Sequence, residues 1–134
     1  MRNALPKSDI LRGKKIFTVV FQHGRRIEGK FIRCYLCPHP VIPADEPFRW
    51  QVGFAVAGKV RRAVDRNRMK RLLRESYRCQ KDLFSAATAS ARTSLAIVFL
   101  FSVPTHHRRE LPTFQQVADD MKSILIRASA RGAA

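Results

Sequence analysis

Acidic residues are scarce in this chain, and their scarcity excludes one large class of functions. The 134 residues include 10 Asp and Glu against 26 Lys and Arg, and the formal net charge is +16. The acids are scattered along the chain, whereas a metal-dependent nuclease needs carboxylates clustered around its ion. The sequence therefore predicts neither catalytic residues nor a metal site. Such an excess of positive charge is usually neutralised by phosphate groups, which are carried by nucleic acids or by an anionic membrane surface.

Long apolar runs are also lacking, which makes the membrane the weaker alternative. A spanning helix needs roughly 18 or more apolar residues, whereas the longest run, at residues 95–101, has only the length of a strand. Residues 1–8 are polar, and the apolar cluster at 16–21 is too short for an export signal. We therefore expect a cytoplasmic protein with no membrane partner. The length fits one domain, which we place at residues 1–127, followed by a disordered tail at 128–134.

Cysteine is sparse as well, with three residues in the chain. An odd number argues against a disulfide framework and favours a reducing compartment. Cys34, Cys37 and His39 form a C-x-x-C-x-H string that resembles half of a zinc site. The segment has the pattern of a strand, in which residues three apart point to opposite faces, and no second ligand pair is suitably spaced. We therefore predict no bound metal here.

The most informative positive feature is a cationic segment at residues 59–81, with ten Lys or Arg against two acids and a net charge of +8. Helical spacing places Met69, Leu72, Leu73, Ser76 and Tyr77 on one face. The sequence predicts a helix that begins between residues 63 and 66, ends near residue 83, and is buried on that face. The opposite arc would present cations and one amide to a polyanion: Asn67, Arg68, Lys70, Arg71, Arg74 and Arg78.

The remaining elements follow from periodicity. Helical spacing indicates a helix at residues 13–23 and a C-terminal helix from residue 114 to about 125. Alternation indicates strands at 31–37 and 50–57, which we predict to form a hairpin across the proline-rich loop at 38–48. The apolar run at 95–101 is typical of a strand buried on both faces. A strand, the basic helix and this strand make a βαβ unit, so 50–57 and 95–101 are expected to run parallel. The fold class is α+β, with the order α-β-β(-β)-α-β-α.

Several motifs together resemble one known family, the bacterial ribonuclease P protein subunit. Residues 66–75 match its R-N-R-x-K-R-x-x-R-E motif. Phe17 and Phe21, followed by His23-Gly24, resemble its F-x-x-x-F-x-H-G segment. The opening at residues 5–12 and the strand at 52–53 that leads into the basic helix agree in order and spacing. The resemblance covers roughly residues 5–125.

This resemblance implies a fold, a partner and separate roles for the protein and the RNA. The fold would be an αβββαβα-type sandwich resembling the ribosomal S5 domain 2-like fold, with a left-handed βαβ crossover through the basic helix. The protein would be a subunit of an endoribonuclease whose catalyst is an RNA, bound one to one. The substrate would be precursor tRNA, from which the 5′ leader is cut. The chain itself would bind no cofactor, because Mg²⁺ would be held through the RNA.

The resemblance also implies roles for individual residues. Contacts to the catalytic RNA would come from Arg66, Asn67, Arg68, Lys70, Arg71 and Arg74. A cleft for the single-stranded leader would be lined by Phe17, Phe21, Tyr35, Lys59 and Arg61. Some alternatives stay open on the sequence: Phe17 and Phe21 also fit a core helix face, Asn67 can cap the helix, and Glu75 can pair with Arg71.

Two features depart from the family pattern. Ahead of the motif, residues 57–62 lack one lysine and one glycine of the family and carry two arginines instead. After the last strand an arginine is missing, for which His106, His107, Arg108 or Arg109 can substitute. Outside this family, a ribosomal or RNA-chaperone-type binding module without a role in cleavage is the main alternative, and DNA binding is the third.

Overall fold

Three helices and four strands follow one another in the computed structural model, which describes residues 10–42, 50–57, 60–88, 94–102 and 111–131. Their order is αβββαβα, and the predicted α+β class is confirmed. The elements are α1 (Lys14–His23), β1 (Arg25–Glu28), β2 (Ile32–Pro38), β3 (Trp50–Val56), α2 (Ala63–Thr88), β4 (Leu95–Phe101) and α3 (Phe114–Arg131).

The strands form one mixed sheet in the order β1-β2-β4-β3. β1 and β2 make an antiparallel hairpin, β2 pairs antiparallel with β4, and β4 pairs parallel with β3. The parallel pairing across the basic helix is confirmed. The predicted hairpin between the second and third strands is wrong, because β4 lies between them. Six of the seven β4 residues are buried, as expected for a strand that is covered on both faces and lies inside the sheet.

The strand that the sequence did not locate is β1. Its four residues are Arg25, Arg26, Ile27 and Glu28, and Ile27 alone is buried. Short charged segments are typical of sheet edges, where charge discourages pairing with other chains. A stretch of three charged residues around one isoleucine carries too little alternation to predict a strand.

The two faces of the sheet are covered by different helices. On one face, α2 and α3 pack over the larger core, which includes Phe99, Leu73 and Met121. On the other face, α1 packs over a smaller cluster that includes Val20, Cys37 and Val98. Cys34 belongs to the first core and Cys37 to the second, so their side chains diverge across the strand, as the strand pattern predicted.

Helix boundaries differ from the predictions at two places. The basic helix begins at Ala63, as predicted, but continues to Thr88, five residues beyond the predicted end. Thr113 precedes the helix α3 and forms a reciprocal pair of hydrogen bonds with Gln116. The backbone N–H of Thr113 donates to Gln116 Oε1, and the backbone N–H of Gln116 donates to the Thr113 hydroxyl oxygen. The pair thus satisfies backbone N–H groups that have no partner within the first turn. This helix continues to Arg131 and buries Ala128 against the core. The disordered tail predicted from residue 128 is therefore wrong for residues 128–131, because an apolar contact holds the chain helical there.

A buried carboxylate joins α3 to the hairpin. Asp120 accepts hydrogen bonds from the backbone N–H groups of Lys30, Phe31 and Ile32, at 2.8, 2.9 and 2.9 Å. Gly29 precedes this turn, and a methyl group at that position would overlap the carboxylate. The contact fixes how the β1–β2 turn sits on the last helix.

Candidate nucleic-acid interface

The helix α2 separates its apolar and cationic residues onto opposite sides. Met69, Leu73, Ser76 and Tyr77 are buried at 1% exposure or less, as the helical spacing predicted. The exposed side carries a set that we call the α2 arc: Asn67, Arg68, Lys70, Arg71 and Arg74. Because burial of the apolar side fixes the rotation of the helix, the α2 arc is held on its exposed side.

Arg66 is placed differently from the rest of the motif. Its Nη1 donates to the carbonyl oxygens of Ala57 and Val60, at 3.0 and 2.9 Å, and its Nη2 donates to Val56 at 3.0 Å. These three carbonyls belong to the end of β3 and to the connection that follows it. The guanidinium thus ties the first turn of α2 to the preceding strand. The RNA contact that the family resemblance implies for Arg66 stays a prediction.

Two other cations on α2 are held by neighbouring groups. Arg78 donates to Glu75 Oε2 from Nη2 at 2.7 Å and from Nε at 3.1 Å, and this carboxylate raises the pKa of Arg78. Glu75 therefore pairs with Arg78, and not with Arg71 as the sequence also allowed. The guanidinium carbon of Arg74 lies 6.0 Å from the centre of the Phe54 ring, a distance at which a cation is attracted to an aromatic face.

On the other face of the sheet, three aromatic side chains lie side by side. The rings of Phe21 and Tyr35 meet edge to face at 4.9 Å between centroids, and those of Phe17 and Phe21 do so at 6.3 Å. We call Phe17, Phe21 and Tyr35 the aromatic surface. All three are partly buried against the smaller cluster. They therefore pack on the core and also expose part of their rings, so the two interpretations left open by the sequence are compatible.

The position of Phe17 depends on a glycine in the neighbouring strand. A side chain at Gly53 would overlap the Phe17 ring, so the ring lies directly over the backbone of β3. The sequence contained the Val52-Gly53 pair but offered no means of connecting it with Phe17, because α1 and β3 are far apart along the chain.

The α2 arc and the aromatic surface face different directions. One is carried by a helix on the first face of the sheet, and the other is formed by residues of α1 and β2 on the second face. Arg61 is exposed in the connection between β3 and α2. Lys59 and the cluster of His106, His107, Arg108 and Arg109 lie outside the described residues. The sheet therefore separates the two surfaces.

Charged residues of the hairpin lie on the same face as the aromatic surface. The register places Arg26 opposite Tyr35 and Glu28 opposite Arg33, and Tyr35 and Arg33 are two residues apart in β2. Arg33 and Tyr35 share a side because alternate residues of a strand point to the same face. Arg26 and Glu28 were missed because the strand that carries them was not located.

The described residues offer neither a metal centre nor a membrane span. No three His, Cys, Asp or Glu side chains in the described ranges lie close enough together to hold a metal ion. None of the helices within those ranges has both the length and the apolar character that crossing a membrane requires.

Comparison with known proteins identifies the family. The profile of a protein family described as Ribonuclease P matches residues 5–129 of this chain. The chain belongs to the ribonuclease P protein family. The ribonuclease P protein component of Chlorobaculum tepidum is 46% identical over 90 residues, which cover 65% of this chain and 57% of that protein. The ribonuclease P protein component of Chlorobium phaeobacteroides is 27% identical over 126 residues, which cover 92% of this chain and 86% of that protein.

Solved structures of ribonuclease P proteins share the fold. The protein from Thermotoga maritima superposes with a TM-score of 0.66 at 20% identity, over 89% of this chain and 96% of that chain. The protein from Staphylococcus aureus superposes with a TM-score of 0.65 at 19% identity, over 89% of this chain and 94% of that chain. The resemblance noted from the sequence motifs, and the α+β fold that it implied, are confirmed.

Proposed function

We propose that this chain is the protein subunit of a ribonuclease P ribonucleoprotein that removes the 5′ leader of precursor tRNA. The observation that carries the proposal is the α2 arc. Five polar side chains, four of them cationic, are exposed on one side of a helix whose other side is buried. In a family of ribonuclease P proteins, such a surface suits the phosphate backbone of the catalytic RNA.

Phosphate neutralisation is the physical basis of this contact. The guanidinium groups of Arg68, Arg71 and Arg74 can each donate two parallel hydrogen bonds to a phosphate, and each contact releases condensed counterions. Lys70 adds a point charge, and Asn67 is exposed and available to a phosphate, ribose or base edge. As the family resemblance implies, we propose one protein for each RNA.

The aromatic surface is the proposed site for the single-stranded leader. The exposed parts of Phe17, Phe21 and Tyr35 offer ring faces and edges on which bases can stack. Stacking contributes roughly 1–3 kcal/mol per base and tolerates any sequence, because every base has a π-face. Arg61, and Lys59 beyond the described residues, are the proposed cationic flank of this site.

Catalysis is proposed to take place in the RNA, with Mg²⁺ bound there. The residues of this chain would bind the leader and the catalytic RNA and so orient the scissile bond, without transferring a proton themselves. The three free cysteines suit the reducing cytoplasm, which is the proposed location.

A processing assay tests the proposal. The protein would be mixed with the ribonuclease P RNA of the same organism and a precursor tRNA, at a Mg²⁺ concentration too low for that RNA to act well alone. We expect correct 5′ maturation to depend on the protein and to be lost in the double variant Arg68→Glu, Arg71→Glu. The matched control is the double variant Lys122→Glu, Arg127→Glu on α3, which reverses the same number of charges outside the α2 arc and should retain activity.

The same assay separates the proposal from its alternative. If the protein binds this RNA and leaves cleavage unchanged, it is not a processing subunit. A ribosomal or RNA-chaperone-type protein would then be the better interpretation, and stoichiometric co-sedimentation with ribosomes would identify the former.

A further inference from the structure

Two arginines and one glutamate form a charged group on the β1–β2 hairpin, beside the aromatic surface. Arg26 Nε lies 3.2 Å from Glu28 Oε1, and Arg33 Nε lies 3.6 Å from the same oxygen. The side chains of Arg26, Glu28 and Arg33 are 54%, 52% and 43% exposed. We call these three residues the hairpin triad.

The hairpin triad contributes little to the fold. Exposed ion pairs are weakly stabilising, since solvent screens them and the long side chains lose conformational freedom. At 3.6 Å, the contact between Arg33 and Glu28 is an ion pair without a well-formed hydrogen bond. Both guanidinium groups can therefore leave Glu28 for a stronger anionic partner at small cost.

The register brings the triad next to Tyr35. Directly opposed side chains on antiparallel strands have Cβ atoms about 5 Å apart, so Arg26 adjoins Tyr35 across the hairpin. Arg33 lies on the same face of β2, about 7 Å further along the strand. A base stacked on Tyr35 would leave its adjoining phosphates within reach of both arginines.

We propose that Arg26 and Arg33 together bind a phosphate of the single-stranded leader next to the base at Tyr35, and that Glu28 competes with that phosphate. The inference rests on the proposed function and adds a specificity element to it. The Nε atoms of two guanidinium groups approach one carboxylate oxygen, and each group also carries the planar fork that suits a phosphate. Glu28 lowers the charge of the triad to +1 and so weakens its binding of a phosphate.

The test measures binding of the assembled protein–RNA complex to precursor tRNAs whose leaders lengthen stepwise from none, over a series of salt concentrations. The variants Arg26→Gln and Arg33→Gln should each lose roughly three- to tenfold of the affinity that the long leader adds. Each should also reduce the slope of log affinity against log salt by about 0.7, the value for one phosphate of a single strand. Glu28→Gln should tighten binding of the long-leader substrate several-fold and leave the leaderless substrate unchanged.

The control is Lys122→Gln, which removes one exposed positive charge from α3, a helix that packs on the opposite face of the sheet. If affinity in the unmodified complex does not grow with leader length, the proposed leader role fails. If affinity grows but the three hairpin variants behave like Lys122→Gln, the inference is overturned and the proposed function stands. An equal loss with the leaderless substrate would also overturn it, because the arginines would then bind another part of the RNA. The gain expected for Glu28→Gln cannot come from misfolding.

Discussion

At the scale of single residues, Arg66 and Arg68 share one motif and have different surroundings. Arg66 donates three hydrogen bonds to the carbonyl oxygens of Val56, Ala57 and Val60. Arg68 is exposed and belongs to the α2 arc. A single sequence motif thus combines a residue that positions the helix with exposed residues for which we propose contact with RNA.

The different surroundings of Arg66 and Arg68 predict different effects for their alanine substitutions. Arg66→Ala should lower the free energy of unfolding by about 1–3 kcal/mol, because three carbonyl groups lose a charged donor. Arg68→Ala should change the free energy of unfolding by less than about 0.5 kcal/mol. It should reduce the slope of log RNA affinity against log salt by the amount that about one phosphate contact contributes. Urea titration measures the free energy of unfolding, and RNA binding at several salt concentrations measures the slope.

Arg66→Lys is the control for charge alone. Lysine keeps the positive charge and lacks the fork that reaches several carbonyls at once, so this variant should be destabilised like Arg66→Ala. If Arg66→Lys preserves stability, or if Arg66→Ala loses only RNA affinity, the anchoring role is wrong.

The three cysteines should differ in reactivity. Burial raises the pKa of the Cys34 thiol from 9.0 to about 12 and also raises the pKa of Cys37, whereas Cys79 is exposed. Because the thiolate is the reactive form, alkylation of the native protein at pH 8 should modify one thiol rapidly, at Cys79. The folded state keeps the Cys34 proton at a pH where the unfolded state has lost it, so this residue lowers stability as pH rises from about 9 to about 12.

Peptide mapping after brief alkylation measures this pattern. Cys79→Ser should remove the fast reaction, and all remaining thiols should react once the protein is unfolded in denaturant. Rapid labelling of Cys34 in the native protein would contradict the buried position.

At the scale of secondary-structure elements, one side chain joins α3 to the β1–β2 turn. Asp120 satisfies three consecutive backbone N–H groups and is 7% exposed. No periodic pattern marks it, since it is one of two adjacent aspartates on an amphipathic helix. Only the packing of α3 against the hairpin distinguishes Asp120 from Asp119.

We expect Asp120→Ala to lower the free energy of unfolding by about 1–3 kcal/mol, because donors beneath α3 lose their acceptor. The neighbouring Asp119→Ala is a matched control, since Asp119 is exposed and accepts a hydrogen bond from Gln115 on its own helix. Its effect should stay below about 0.5 kcal/mol. Thermal and denaturant unfolding of both variants measure the difference. Equal losses of stability would contradict the proposed role of Asp120 in joining α3 to the β1–β2 turn.

At the scale of the whole molecule, the net charge of +16 opposes the compact state. Like charges of the α2 arc are held close together by the burial of the opposite side of the helix. An anion that binds the folded state and neutralises these charges should stabilise it by mass action.

Sulfate should therefore raise the melting temperature more than chloride does at equal ionic strength. The double variant Arg68→Gln, Arg71→Gln should gain less from sulfate, whereas the double variant Lys122→Gln, Arg127→Gln should gain nearly as much as the unmodified protein. Identical responses to the two salts would show that general screening, and not binding at the α2 arc, relieves the repulsion.

Periodicity predicted helices, strands and buried faces well, because they depend on residues close together in sequence. Met69, Leu73 and Tyr77 are buried as their spacing indicated, and the run at 95–101 forms the strand β4. The errors concern partners distant in sequence. Strand alternation could not reveal that β4 separates β2 from β3, and helical spacing could not reveal that Ala128 is buried against the core.

By itself, the sequence determined the family, the α+β class, the burial pattern of the basic helix and the sign of its exposed charge. These properties follow from residue order and local geometry. Only the tertiary structure decided that Arg66 binds backbone carbonyls, that Phe17 lies over Gly53, and that Arg26 and Glu28 lie beside Tyr35 and Arg33. Each of these contacts joins separate elements, and sheet order and helix packing bring them within reach.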